Sequence, residues 1–163
     1  MDAKIGGYDV LEIAEKIERN GVKFYRRAAG LCSDDRISTL FVQLAQWEAR
    51  HVELFGQMRE RLTAEGRQPG HVDPDRIDGI DAQALAGLAV FGIQPDPSRE
   101  LTGSESRTDV LRMAIEKEKD SIVYYTGLKG FLAHQTDRQV LEQVIQEEMK
   151  HVRILVQALE QTV

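Results

Sequence analysis

One cysteine is all the thiol this chain carries. Cys32 alone forms no internal disulfide, no Cys-x-x-Cys redox pair and no four-cysteine metal knuckle. On the apolar stripe of the first helical segment it reads as an inert buried side chain. Long apolar runs are missing too. Nothing approaches about 18 uninterrupted apolar residues, and the opening MDAKIGGYDV has no signal-peptide apolar region, so no membrane span is expected and the cytoplasm is the default location. Positive charge is also short. The 21 Lys and Arg against 27 Asp and Glu leave a formal net charge of -6, with the signs interspersed, which argues against nucleic acid or an anionic membrane surface as partner. The four prolines all fall in one segment, 66–107.

What remains is ordinary for one folded domain. The chain has 163 residues, 42% hydrophobic and 29% charged, enough to bury a core and expected to form a single domain, 1–163. Four stretches carry apolar residues at spacings of three and four. The first is expected from Asp9 to Cys32, with Asp9 and Glu12 as a capping box. The second is expected from Asp34 to Glu65, ended by Gly66 and Pro69. The third is expected from Thr108 to Ala133, and the fourth from Thr136, capped with Gln139, to the C-terminus. Four long helices with a short turn inside each pair predict an all-α four-helix bundle. Between the pairs, residues 66–107 form a crossover, in which "DAQALAGLAVFG" (81–92) is expected to be a short helix lying on the bundle or building a dimer contact.

The two helix pairs align at an offset of one hundred residues without a gap. Ala14, Glu18, Tyr25 and Gly30 meet Ala114, Glu118, Tyr125 and Gly130; Gln43, Gln46, Glu48, His51 and Val52 meet Gln143, Gln146, Glu148, His151 and Val152. A repeated helical hairpin explains this better than chance. The matches concentrate on the stripe that should be buried, and they include its oddest members.

Those members are ionisable. Glu48 and His51 stand one helical turn apart among Leu44, Val52 and Phe55, and Glu148 and His151 repeat the pattern. Glu18 lies sixteen residues before the first turn and Glu48 fourteen after it, so an antiparallel pair sets them within about 3 Å of one height; Glu118 and Glu148 are related in the same way around His134. Four Glu and two His therefore converge on one layer. A single unpaired buried carboxylate costs several kcal/mol, so four cannot stay ionised side by side. Partial protonation is one escape. Two divalent cations are the better one, because four carboxylates balance four positive charges. Oxygen-rich ligands with one nitrogen per ion suit iron or manganese, with zinc a third option. Each ion takes its own Glu and His, and the two Glu-x-x-His carboxylates bridge.

These residues resemble the ferritin-like superfamily, most closely its rubrerythrin-like branch. There a Glu from each of two helices and a Glu-x-x-His from each of the other two hold a di-iron or di-manganese centre. The resemblance spans all four helices, and "ERNGVKFY" (18–25) and "EKDSIVYY" (118–125) share the family's Glu-x-x-small-x-x-x-Tyr pattern. It implies Glu18, Glu48, His51, Glu118, Glu148 and His151 as metal ligands. Tyr25 and Tyr125 are read either as donors that orient a bridging carboxylate or as core aromatics. Two departures stand out. The single cysteine cannot build the four-cysteine rubredoxin centre of full-length rubrerythrins, so any electrons needed are expected from an external donor. Ser121 stands where rubrerythrins carry an extra Glu, implying a more symmetric, fixed site. Trp47 is assigned to packing; Glu147, whose offset partner is Trp47, is passed over in favour of Glu148; His71 and His134 receive no role.

Three functions are compatible with this reading. The first is a di-iron oxidoreductase, of ferroxidase or peroxidase type, that reacts with O2 or hydrogen peroxide. The second is iron storage or delivery without turnover, which needs a larger assembly than this chain. The third is a structural bundle stabilised by its metal. A homodimer or larger homo-oligomer is expected.

Overall fold

A computed structural model describes residues 7–66 and 97–161. Four helices make up most of them: α1, Gly7–Leu31; α2, Asp35–Ala64; α3, Arg107–Leu128; and α4, Gln135–Glu160. No strand occurs among the described residues. The short helix and dimer contact expected at 81–92 lie outside the described residues, as do Pro69 and His71.

Local chemistry marks the ends of α2 and the start of α3. Asp34 caps α2, its side chain accepting from the backbone N–H groups of Arg36 and Ile37 at 3.0 and 3.3 Å. Ser106 caps α3 in a reciprocal box: Asp109 N donates to Ser106 Oγ at 3.1 Å and Ser106 N to Asp109 Oδ2 at 3.2 Å. At the end of α2, Gly66 takes φ +77°, a left-handed conformation that favours glycine and releases the chain from the helix.

Three expected boundaries are corrected. Asp9 is the third residue of α1, where Asp109 also sits in α3, rather than a cap. The regular part of α3 stops at Leu128, and a 3-10 turn, Lys129–Phe131, follows it. His134, not Thr136, precedes α4, with no side-chain cap. Cys32 falls in the α1–α2 turn and is half-buried rather than interior.

Helix α1 packs along α2 and α3 along α4, and the two hairpins meet through α1 with α3 and α2 with α4. Cross-contacts give the directions. Tyr25 meets Glu118 while Tyr125 meets Glu18, so α1 and α3 run antiparallel. His51 meets Glu147 while Arg61 meets Asp137, so α2 and α4 do too. The end of α2 and the start of α3 therefore lie at opposite ends of a bundle about 40 Å long, which the segment between them has to span.

The last stretch of that segment is pinned by a buried charge. A 3-10 turn, Pro97–Glu100, packs on α1. Leu101, just after it, is buried. Lys117 of α3 is only 2% exposed; its Nζ lies 2.6 Å from Glu100 Oε2 and 5.0 Å from the centre of the Phe24 ring. Lys117→Met leaves the Glu100 carboxylate without this cation and loses the ring contact. The side chain of Glu100 is 17% exposed, so the cost falls below that of a fully buried pair, about 2 kcal/mol. Urea denaturation of the two proteins measures it.

Candidate metal centre

Halfway along the bundle the apolar core gives way to charge. Glu18, Glu48, His51, Glu118, Glu148 and His151 are each at most 3% exposed. Helices α1 and α3 supply one Glu each; α2 and α4 supply a Glu and a His separated by one turn. All six residues singled out in the sequence come together here.

The cluster divides into two overlapping groups. Glu18, Glu48, His51 and Glu148 each present a ligand-type atom within 4.8 Å of the others, and Glu48, Glu118, Glu148 and His151 do the same. Glu48 and Glu148 belong to both. Each imidazole turns Nδ1 inward. His51 Nδ1 lies 2.9 Å from Glu148, 3.6 Å from Glu18 and 4.0 Å from Glu48. His151 Nδ1 lies 2.8 Å from Glu148, 3.5 Å from Glu48 and 3.7 Å from Glu118.

Proximity is not the same as hydrogen bonding in this cluster. Although His51 Nδ1 and Glu148 Oε1 are 2.9 Å apart, neither atom makes a hydrogen bond, and Glu18 Oε2 and Glu48 Oε1 are likewise buried without one. Four orphaned polar atoms in one buried layer are costly unless something else engages them. Two oxygen-rich sets with one nitrogen apiece fit a pair of hard-to-borderline divalent cations. Space has also been kept for this layer: a Cβ on Gly21, one turn after Glu18, would lie 3.2 Å from Glu48 Cγ and 3.3 Å from its Oε2.

Electrostatics reflect the same crowding. Burial pushes Glu48 well above the usual carboxylate range, and the like charges of Glu18, Glu148 and Glu118 push it further. Burial likewise raises Glu118, to about 8, with Glu148 adding to it. Glu148 goes the other way: burial opposes its ionisation, but the hydrogen bond to His151 and the two imidazoles beside it outweigh that and hold it low.

The tyrosines act across the hairpins. Tyr25 of α1 donates its hydroxyl to Glu118 Oε1 on α3, and Tyr125 of α3 donates to Glu18 Oε1 on α1. They hold the two unshared carboxylates, not the shared pair that the sequence reading considered. Burial, then the adjacent carboxylate, raises both phenols well above their ordinary value, so both remain donors.

Two contacts were missed from sequence. Trp47 does not merely pack: its ring stacks on His151, with centroids 4.9 Å apart and planes at 10°. Glu147 reaches His51, its Oε2 2.9 Å from Nε2. The available signal was the offset itself, since 47 and 147 are the flanking positions where the two halves disagree beside a shared Glu. His134 pairs with Glu65 at 3.0 Å on the surface, remote from the cluster.

No family model and no curated protein matches this sequence. Among solved structures, a crystal structure given as a ferritin-like diiron-carboxylate protein from Thermotoga maritima superposes with a TM-score of 0.71, at 22% identity, over 100% of both chains. The fold is ferritin-like. In such a bundle the single long crossover, here between α2 and α3, is what lets both Glu-x-x-His helices face each other across the interior. No helix among the described residues of this ferritin-like chain is long and apolar enough to cross a membrane.

Proposed function

We propose that this bundle is a di-metal carboxylate redox protein, with iron its working metal, that reacts with O2 or hydrogen peroxide. One observation carries the reading: two four-residue groups share Glu48 and Glu148 and contain buried lone-pair atoms that nothing in the protein satisfies. Glu18 and His51 would hold one ion and Glu118 and His151 the other, with Glu48 and Glu148 common to both. A ferrous pair bound there supplies two electrons and open coordination positions to an oxidant.

The chain's own residues set the conditions. Tyr25 and Tyr125 fix the rotamers of Glu118 and Glu18 by hydrogen bonds from the opposite hairpin, so neither carboxylate has to reorganise when charge changes beside it. Phe41 stacks on Tyr25 with centroids 6.1 Å apart, and Phe55 packs against Tyr125 at 5.2 Å; these rings keep water from the phenols. Ser121, buried on α3, offers no carboxylate to which an ion could shift. Reducing equivalents would come from a separate donor, since Cys32 alone builds no redox centre.

Glu48→Ala and His151→Ala should each slow the oxidation of added Fe(II) by peroxide at least tenfold, followed by the absorbance of the ferric product in stopped flow. Rates equal to wild type in both variants would rule the reading out.

A further inference from the structure

The six inner residues are related by the hundred-residue offset almost without exception, but their surroundings are not. Position 47 of α2 and position 147 of α4 each precede the Glu of a Glu-x-x-His, and each side chain reaches across the α2–α4 interface to the histidine of the other helix. One is tryptophan and the other glutamate. Glu147 Oε2 lies 2.9 Å from the outward nitrogen of His51, whereas Trp47 lies flat against the ring of His151.

This difference lands on the nitrogen of His51 that points away from the cluster and on the ring face of His151. Each histidine faces the carboxylate cluster with Nδ1, so an ion takes Nδ1 and the proton resides on Nε2. In His51 that N–H meets a carboxylate. A carboxylate pulling on the outer N–H makes the imidazole a stronger base and fixes its orientation, and loss of such a partner typically weakens metal binding 10–100-fold. The neutral indole on His151 contributes contact and orientation but no charge. Resting on the di-metal reading above, we propose that the two metal positions are inequivalent, Glu147 being the positioning residue that makes the position at His51 the tighter-binding one. The carboxylate of Glu147 is 58% exposed and partly screened by water, which sets the expected effect at the lower end, about tenfold. The same exposure makes it safe to replace.

Two neighbouring dications repel each other, so a symmetric site would also fill in two separated steps. The evidence lies in which constant moves. Metal-free protein is titrated with Co(II), followed by d–d absorption and calorimetry, for wild type, Glu147→Gln, Trp47→Phe and Trp47→Glu. Each should bind two ions. Glu147→Gln should weaken the tighter constant about tenfold and leave the other within about twofold, and Trp47→Phe should move neither. Trp47→Glu should tighten the weaker constant, because it supplies the missing carboxylate to His151. Mössbauer spectra of the protein loaded with two 57Fe(II) should show two quadrupole doublets of equal area in wild type, drawing together in Glu147→Gln. Two bound ions with constants and doublets unmoved by Glu147→Gln, or weakened equally, would overturn the inequivalence and leave the di-metal reading standing. Fewer than two ions in wild type would overturn both.

Discussion

Loading the metal-free chain with Fe(II) under anaerobic conditions, or with Mn(II), should raise its Tm by about 10–20 °C. An ion present at a hundred times its dissociation constant stabilises the folded state by about 2.7 kcal/mol per site, so two sites give roughly 5 kcal/mol. For a chain of this size each kcal/mol moves Tm by about 2–4 °C. Glu48→Gln should abolish most of that rise, because Glu48 belongs to both ligand groups. The same substitution should leave the metal-free protein as stable as wild type or slightly more so. Burial and three neighbouring carboxylates raise Glu48 well above the usual carboxylate range and so favour its neutral form, and a glutamine of the same shape is a permanent version of that neutral state. Stability and metal binding thus pull apart at one residue, which distinguishes a ligand from a packing residue: loss of packing would lower Tm with or without metal. Differential scanning calorimetry of both proteins, with and without ions, reads all four values. An equal metal-induced rise in Glu48→Gln would remove Glu48 from the ligand set.

Helix existence and the inner layer were legible in the sequence for the same reason. An apolar stripe at spacings of three and four fixes which face is buried, and a carboxylate on that face is conspicuous. The Glu-x-x-His pairs needed no tertiary information beyond a short turn and two helices of matched length. Cross-hairpin relations were harder to read. Tyr25 stands two turns from Glu18, and only the antiparallel packing of α1 on α3 makes Glu118 its partner instead. Helix starts also slipped. Asp9 looks like a cap, but Asp109 shows that an aspartate here is the third helical residue, reaching back to a serine before the helix. For α4 the Thr136–Gln139 pair offered a good local box, yet the chain enters two residues earlier, behind His134. Capping chemistry is worth about 1 kcal/mol, less than the packing of a whole helix face, so packing decides where the helix begins.

Glu147 and Trp47 mark a different kind of limit. Both lie outside the apolar stripe, where a glutamate or a half-buried tryptophan needs no explanation. Their meaning comes from the histidine each one meets on the opposite helix. The ligand positions agree between the halves, and the difference between Trp47 and Glu147 is what sets the two histidines apart.

Metal loading at pH 7 should release protons, and affinity should climb as pH rises. Without metal the layer balances its charge with protons. Burial alone would lower both histidines, but for His51 the adjacent carboxylates of Glu148 and Glu18 outweigh it and push the ring far above its ordinary value. For His151 the carboxylates of Glu118, Glu148 and Glu48 do the same, raising it to about 12. Glu48 is raised well above its ordinary value and Glu118 to about 8. All four shifts favour the protonated forms of His51, His151, Glu48 and Glu118 in the metal-free protein. Coordination needs neutral imidazoles and ionised carboxylates, so each of these protons has to leave. Because all four shifts are upward, higher pH removes protons and favours the ions, and lower pH opposes them. Each proton released per ion corresponds to about a tenfold gain in affinity per pH unit near neutrality, flattening as Glu118 ionises above about 8. Calorimetric titration in buffers of differing ionisation enthalpy gives the proton count as a slope. A slope near zero would mean that the ions displace no protons and bind somewhere other than this layer.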